Sequence, residues 1–316
     1  MRLSQPFIKL PWIFDADRLA AEIAQIDDAA WMKHPTRMNG NTAVALISRD
    51  GGDNDDFEGS MATTPHLKRC EYLQQVLASF DQVLGRTRLM KLASGAEVAT
   101  HVDFNYHWYS RVRIHVPIVT TPDVMFFCGP EQTHMAAGES WIFDSWRRHR
   151  VINGSSNDRI HLVIDTAGSA TFWRVVRAME KAARERVKYD AQLTPYIDGK
   201  AVEIRAERYN IAAVMAPGEM SALAEDLITD FQNHAANDRD LVERYADLLR
   251  SLCADWRELW SQYGSDDVGI PHYKQLLSET QDKLDPNKRA LVTSSNQIGV
   301  NPVIVQRILR AALGFE

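Results

Sequence analysis

The sequence predicts an α+β protein in which an antiparallel jelly-roll core is flanked by helices and followed by a helical C-terminal region. Three observations lead to this fold class. Apolar residues alternate with a period of two over roughly residues 88–167, clusters of turn residues separate the short runs, and helical spacing takes over after Gly168. Many short strands in one stretch are typical of a sandwich or jelly roll rather than of a parallel sheet.

Two flanking helices and a loop precede the strands. Asp15 or Asp17 can cap the first helix, and the second helix is expected around residues 73–80. Their apolar positions recur at helical spacing: Leu19, Ala20, Ile23 and Ile26 in the first, Leu73, Val76, Leu77 and Phe80 in the second. Between them, DGGDNDDFEGS at residues 50–60 predicts a mobile loop. A calcium loop is disfavoured because the full ligand spacing and the terminal glutamate are missing.

The clearest strand covers residues 111–118. There Val112, Ile114, Val116 and Ile118 alternate with Arg111, Arg113, His115 and Pro117. Turn clusters such as GPEQ, AAGES and NGSSND separate further strands, expected at residues 124–128, 140–144, 150–152 and 160–165.

Helical spacing dominates the rest of the chain. Residues 238–263 place leucine and aromatic side chains on one face at steps of three and four. We therefore expect a jelly-roll domain with N-terminal flanking helices at 1–168 and a helical C-terminal region at 169–316. The segment SSNQIGVNPVIVQRILRAAL faintly resembles a helix-turn-helix, but the acidic chain lacks a basic stripe, which favours a packing helix with Val303, Ile304, Ile308 and Leu309 as core.

The bulk composition narrows the possible partners. The chain has 316 residues, 45% hydrophobic content, a net charge of −6 and a pI near 5.9, which argues against nucleic acid and anionic membranes as partners. We expect a small-molecule partner, whereas the oligomeric state is left open. Three distant cysteines and the absence of an export signal or an apolar run of about 20 residues predict a cytoplasmic protein with neither disulfides nor a membrane span.

One short motif suggests a metal centre. In HVD, His101 and Asp103 stand two residues apart at a predicted strand end, so both side chains point to one face of the sheet. His149 lies just before a later strand and can supply a third ligand. Two histidines and one carboxylate leave positions open and are typical of non-haem Fe(II) oxygenases. HxD alone is a weak pattern, because any of the histidines can equally be a core residue.

Arg159 strengthens this interpretation. It follows His149 by ten residues and begins an apolar strand, so its guanidinium must point outward or find an anion inside the protein. Because a guanidinium can grip a carboxylate through two parallel hydrogen bonds, Arg159 suits one end of 2-oxoglutarate.

Four segments in this order, HVD, RVRIHVPI, GESWIFDSWRRHRVINGS and RIHLVID, resemble the aspartyl/asparaginyl β-hydroxylase family of Fe(II)/2-oxoglutarate-dependent oxygenases, over about residues 88–167. The resemblance implies a double-stranded β-helix, a cupin-like jelly roll, and hydroxylation of an unactivated carbon with Fe(II), 2-oxoglutarate and O2. It also implies roles for single residues: His101, Asp103 and His149 as iron ligands, Arg159 on the distal carboxylate of 2-oxoglutarate, and Arg113 and His115 beside the cosubstrate.

The presence of Asp103 favours the bacterial branch, which includes hydroxylases of free proline, because the animal enzymes of the family lack the acidic ligand. By analogy we expect an amino-acid-like small molecule as substrate. Candidate substrate residues are Asn105, His107, Trp146, Arg148 and Arg49, although each can equally be an ordinary loop aromatic or solvated charge.

Three other functions stay open. The chain could hydroxylate Asp or Asn within a peptide or protein. A cupin-like hydrolase or isomerase could use the same triad with zinc or manganese, and would not need Arg159. A non-catalytic ligand sensor could use the terminal helices to bind a macromolecule.

Overall fold

The computed structural model describes residues 1–33 and 40–314. The chain divides into two compact units. Met1–Asp103 and Ser110–Arg208 form the β-helix unit, and Phe104–Tyr109 and Tyr209–Glu316 form the helical unit.

Both sheets lie in the β-helix unit. The strands are β1 (Phe7–Phe14), β2 (Met32–Lys33), β3 (Asn41–Arg49), β4 (Met61–Thr63), β5 (Thr87–Leu92), β6 (Glu97–His101), β7 (Val112–Val119), β8 (Val124–Cys128), β9 (Glu131–Thr133), β10 (Glu139–Phe143), β11 (His149–Asn153), β12 (Arg159–Thr166) and β13 (Gln192–Thr194). The large sheet has the order β13-β1-β10-β7-β12-β5-β3-β2, with β4 on β3, and the small sheet has the order β6-β11-β8-β9.

Strands β5 to β12 alternate between the two sheets, apart from the β8–β9 hairpin. Each neighbouring pair among these strands is antiparallel. This winding is a double-stranded β-helix, and the added strands and helices make the protein α+β. The predicted fold class is confirmed.

Helices flank the sheets and form the C-terminal half. They are α1 (Ala16–Ile23), α2 (Pro65–Lys68), α3 (Glu71–Ser79), α4 (Tyr106–Ser110), α5 (Ala170–Glu185), α6 (Pro217–Gln232), α7 (Arg239–Tyr263), α8 (Ile270–Asp282) and α9 (Val300–Val303), which continues into a π-helical turn at Ile304–Leu309. Asp15 caps α1, where its carboxylate accepts from the Arg18 amide at 3.0 Å. Within the described ranges, no helix is long and apolar enough to cross a membrane.

The two faces of the large sheet have different neighbours. Its outer face packs against α1, α3 and α5, and one large apolar cluster holds the outward side chains Leu89, Ile114, Leu162 and Ile164. Between the two sheets lies a smaller apolar cluster that includes Leu92, Phe126 and Val151. Period-two alternation therefore turns the odd-numbered residues of β7 and β12 toward the space between the sheets.

Several local expectations need correction. Strands β1 and β3 were not expected, because neither carries a clean alternation: β3 is buried along nearly its whole length. The chain after Gly168 is not helical throughout, since residues 187–216 contain β13 but no helix. In the structure residues 169–208 group with the β-helix unit. The domain limit at residue 168 stays a prediction.

Candidate functional site

The small sheet brings the three predicted metal ligands together. His101 ends β6 and His149 begins β11, and the two residues face each other across the antiparallel pair. Asp103 follows β6 by two residues, and its amide donates to the Ser145 carbonyl at 3.0 Å. One ligand atom from each of the three residues lies within 4.8 Å of the others.

Hydrogen bonds orient both imidazoles. Nδ1 of His101 lies 2.8 Å from the Ala99 carbonyl, and Nδ1 of His149 lies 2.9 Å from the Arg147 carbonyl. A carbonyl only accepts, so each Nδ1 carries the proton and each Nε2 presents a lone pair. These Nε2 atoms lie 3.8 and 4.0 Å from the two carboxylate oxygens of Asp103. Carbonyl-oriented histidines are the usual support for a metal site.

The donor set fits a divalent transition metal. Burial lowers the pKa of His149 to about 4, so its imidazole is neutral near pH 7, as a metal ligand must be. Oδ2 of Asp103 is buried and has no hydrogen-bond partner among the described residues. Neighbouring ligands bound at roughly 2.1 Å and at right angles to each other stand about 3.0 Å apart, so the three side chains would have to approach one another by about 1–2 Å to share an ion.

Arg159 is a buried cation that has no anion among the residues that the structure describes. Its side chain is 5% exposed, and within the described part of the chain it makes no ion pair, while its Nε lacks a hydrogen-bond partner. The guanidinium carbon lies 5.0 Å from the centroid of the Phe126 ring. Burial alone lowers its pKa to about 9, so the arginine stays charged at neutral pH. A charge buried in this way is costly unless a ligand pairs with it.

Two neutral histidines line the same space. The rings of His115 and His161 are buried, lie 5.7 Å apart between centroids, and both contact Phe126. None of their ring nitrogens has a hydrogen-bond partner among the described residues. Burial lowers both pKa values well below the usual histidine range. A row of ring contacts, including Phe143 against His149 at 4.9 Å, therefore runs from the triad to Phe126, which lies beside Arg159.

Arg113 lies beside the triad rather than beside Arg159. Its Nε is 3.3 Å from Asp165, and its NH1 is 3.9 Å from Oδ2 of Asp103. The expected position next to the cosubstrate stays a prediction, but the side chain's observed partners are carboxylates, one of which belongs to the triad.

Sequence reasoning missed three charged residues near this point. Arg86 and Arg88 are buried, and both contact the carboxylate of Asp55, which lies in the loop that was expected only to be mobile. Arg86 also approaches Asp165 at 3.5 Å, which connects the group to Arg113. A signal was available: in RTRLMKL, Arg88 shares the period-two face of Met90 and Leu92, opposite the outward Leu89.

The suggested substrate residues are dispersed. Arg49 pairs with Asp56 at 2.6 Å on the surface, and Arg148 is exposed. Trp146 is buried, with the Arg2 guanidinium 5.1 Å from its ring centroid. Asn105 and His107 belong to the helical unit, where the Asn105 side chain accepts from the Trp108 amide at 3.3 Å and the His107 ring packs edge-on against Trp108. Their role toward a substrate stays a prediction.

Comparisons with known proteins agree with the geometry. The model of the aspartyl/asparaginyl β-hydroxylase family matches residues 22–168. A relative named L-proline cis-4-hydroxylase, from Rhizobium meliloti (strain 1021), is 24% identical over 185 residues, which cover 56% of this chain and 66% of the relative. The match thus spans just under two thirds of that protein.

Two solved structures are similar at low scores. An oxidoreductase of the 2OG-Fe(II) oxygenase family from Burkholderia pseudomallei has a TM-score of 0.37 and 14% identity, and the match covers 52% of this chain and 85% of that one. A Pseudomonas putida prolyl-4-hydroxylase has a TM-score of 0.34 and 14% identity, with 52% and 92% covered. No inference rests on scores this low.

The family match covers α3, the strands of the double-stranded β-helix and all three residues of the triad. Residues 22–168 of this chain are therefore similar to the aspartyl/asparaginyl β-hydroxylase family.

Proposed function

We propose that this protein is an Fe(II)/2-oxoglutarate-dependent dioxygenase that hydroxylates a carbon of a small amino-acid-like substrate. His101, Asp103 and His149 would hold the iron through two Nε2 atoms and one carboxylate oxygen. Arg159 would bind the distal carboxylate of 2-oxoglutarate. His115 and His161 would form the neutral wall between these two points.

The unpaired Arg159 is the observation that carries the proposal. A triad alone serves many metal enzymes of the cupin type, but a cupin-like hydrolase or isomerase needs no buried cation between the two sheets. Arg159 is buried with no anion among the described residues, so the folded protein bears a desolvation cost that a bound carboxylate would offset. A planar guanidinium also matches a carboxylate geometrically.

When bound, Fe(II) with 2-oxoglutarate and O2 supplies the oxidising chemistry: one oxygen atom enters a C–H bond of the substrate, and the other leaves in succinate together with carbon dioxide. The side chains of this protein do the positioning. The carbonyls of Ala99 and Arg147 hold the two imidazoles in one tautomer, and the buried apolar rings around Arg159 strengthen its attraction to a carboxylate.

The relative's name supports an amino acid as substrate, since that protein is an L-proline cis-4-hydroxylase. The acidic net charge supports a small-molecule partner rather than nucleic acid. Three free, buried cysteines support the cytoplasm as its location. Hydroxylation of Asp or Asn within a peptide is the second candidate, because the family model that matches residues 22–168 is that of aspartyl/asparaginyl β-hydroxylases.

The decisive assay incubates the Fe(II)-loaded protein with 2-oxoglutarate, O2 and a panel of the twenty amino acids and short Asp- or Asn-containing peptides. Succinate formation and a mass gain of one oxygen are followed together. We expect both with a free amino acid. If a peptide is hydroxylated and no free amino acid is, the proposed oxygenase chemistry stands and the proposed substrate class is refuted.

Arg159→Met and Arg150→Met form a matched pair for the cosubstrate role. Arg150 lies on β11 with its guanidinium 4.3 Å from the Phe127 ring centroid, and it is only partly buried. We expect 2-oxoglutarate binding to be lost in the first variant and kept in the second. Unchanged affinity in Arg159→Met would refute the role of this arginine.

A further inference from the structure

We infer that Arg88 and Asp55 together form a receptor for the paired charges of a free α-amino acid, with the carboxylate on Arg88 and the ammonium on Asp55. This inference rests on the proposed function and names the substrate class of the same site. It concerns two residues in the β-helix unit, one on β5 and one in the loop at residues 50–60.

Arg88 has unused hydrogen-bonding capacity in a buried place. Its side chain is 3% exposed, and its contact with the described residues is one charge-assisted hydrogen bond of 2.5 Å, donated by NH1 to Oδ1 of Asp55. A guanidinium has five N–H donors in a fixed fork, so most of this group remains available. Burial and the neighbouring Arg86 lower its pKa to about 9, which still leaves it charged at neutral pH.

Asp55 has the complementary unused group. Oδ1 accepts from both Arg86, at 2.9 Å, and Arg88. Its backbone carbonyl accepts from Arg86 as well, at 2.8 Å, which ties the loop to the arginines. Oδ2 enters no hydrogen bond with any residue that the structure describes, and the side chain is 22% exposed. A carboxylate oxygen open to incoming solute is thus held next to a buried cation.

This adjacency fits a zwitterion better than a simple anion. In a free α-amino acid the carboxylate and the ammonium are attached to the same carbon, so a receptor needs a cation and an anion side by side. Arg88 and Asp55 provide both within one hydrogen bond of each other. A residue in the middle of a peptide carries neither charge on its backbone and would leave both groups unsatisfied.

The receptor is connected to the triad through neighbouring ion pairs. Asp55 contacts Arg86, Arg86 lies 3.5 Å from Asp165, and Asp165 lies 3.3 Å from Arg113. Arg113 in turn lies 3.9 Å from the predicted metal ligand Asp103. An amino acid held by Arg88 and Asp55 therefore binds at one end of a charged network whose other end is the metal site.

Binding of 2-oxoglutarate does not require the guanidinium of Arg88. On β5 and β12, Arg159 pairs with Leu92 and Val163 pairs with Arg88, so the two arginines stand four residues apart on one face, about 13 Å along the strand. If Arg159 takes the distal carboxylate of 2-oxoglutarate and the metal takes the other end, Arg88 remains for a second anion. We assign this second anion to the carboxylate of the substrate.

The first test uses the unaltered protein loaded with Mn(II) and 2-oxoglutarate without O2, so that binding is measured without turnover. Calorimetry is run with the twenty free amino acids, and then with the N-acetyl and amide derivatives of the tightest binder. We expect either cap to weaken binding about 10- to 100-fold, as removal of a hydrogen bond to a charged group does. Equal binding of free and capped forms would overturn the inference.

The second test assigns the two charges. Asp55→Asn should weaken binding of the free amino acid and leave the N-acetyl derivative unaffected, whereas Arg88→Met should weaken the free amino acid and leave the amide unaffected. Asp56→Asn, on the same loop but paired with Arg49, and Arg205→Met, an exposed arginine paired with Asp81, are the matched controls. A preference for free amino acids that survives in both Asp55→Asn and Arg88→Met would overturn the assignment.

The outcomes separate the two proposals. A protein that binds 2-oxoglutarate but none of the twenty amino acids refutes the zwitterion receptor and leaves the oxygenase. A protein that binds no 2-oxoglutarate refutes the proposed function itself. If Arg88→Met does not fold, Arg88→Lys keeps the charge without the fork, and the capped derivatives test the inference on the unaltered chain.

Discussion

The two compact units differ in how they hold individual buried charged side chains. In the helical unit, the buried Arg307 donates to the Phe104 carbonyl at 3.2 Å and lies 3.5 Å from Asp226. Asp230 accepts from the amide of Ser295 at 2.9 Å and from its hydroxyl at 2.5 Å. In the β-helix unit, Arg159 has no such partner in the described part of the chain.

This difference distinguishes polar groups that stabilise the fold from polar groups that are available to bind a ligand. Several buried side-chain atoms of ionisable residues have no hydrogen-bond partner among the described residues. All of these atoms lie in the β-helix unit. Four of these atoms, on Asp103, His115 and Arg159, belong to residues expected from the sequence to serve the site. A buried group without a partner costs free energy in the unliganded protein, so its persistence indicates a ligand.

The largest effect is expected at the triad. His149→Ala should lower Mn(II) affinity and hydroxylation by more than about a hundredfold, because loss of a supporting partner alone commonly costs 10–100-fold. His134→Ala is the matched control, since that imidazole is outside the triad and hydrogen-bonds to the Val124 carbonyl at 3.1 Å. Metal affinity measured by calorimetry checks this, and an unchanged value would refute the metal site.

The next effect concerns ligand-dependent stability. We expect 2-oxoglutarate with Mn(II) to raise the melting temperature of the unaltered protein and to have no such effect on Arg159→Met, because about 2–5 kcal/mol of charge-assisted binding is lost. Differential scanning fluorimetry over a range of 2-oxoglutarate concentrations measures the shift. An equal rise in melting temperature in both proteins would contradict the role of Arg159 as a binding group.

Without ligands, Arg307 should contribute more than Arg159 to the free energy of unfolding. Arg307→Met should reduce the free energy of unfolding by about 1–3 kcal/mol, because it leaves a carbonyl and a carboxylate without their donor. Arg159→Met should leave it unchanged or raise it, because it removes a buried charge that has no partner. Urea unfolding of both variants tests this, and a larger loss in Arg159→Met would show that Arg159 is structural.

The smallest effect is expected at the cysteines. Burial raises the pKa of Cys70 and Cys128 to about 12, and it also raises the pKa of Cys253. All three thiols are buried, so we expect no alkylation by iodoacetamide at pH 8 in the folded protein and three alkylations in urea. Mass spectrometry counts the adducts, and a fast-reacting thiol would reveal local opening of the unit that contains it.

The sequence was most informative where one face of an element is buried. Strands β7, β8 and β12 were expected from alternation within one residue of their observed limits, and α7 within one residue of its start. Strand β3 was not predicted because a strand buried on both faces has no alternation, and β1 was not predicted because Lys9 and Pro11 are the only interruptions of an apolar run and give no period of two. The caps were readable because Asp15 is a local signal.

By itself, the sequence determined the fold class, the family resemblance of residues 22–168 and the phase that turns Arg159, His115 and Asp103 inward, because period-two alternation and motif order are local properties of the chain. Only the tertiary structure decided which charges find partners. Asp55 lies 33 residues before Arg88 and reaches it from a loop without regular structure. Arg159 stays unpaired because antiparallel pairing buries it beside Phe126 and away from the described carboxylates. Such pairings depend on where distant segments meet in space, and no local pattern encodes that.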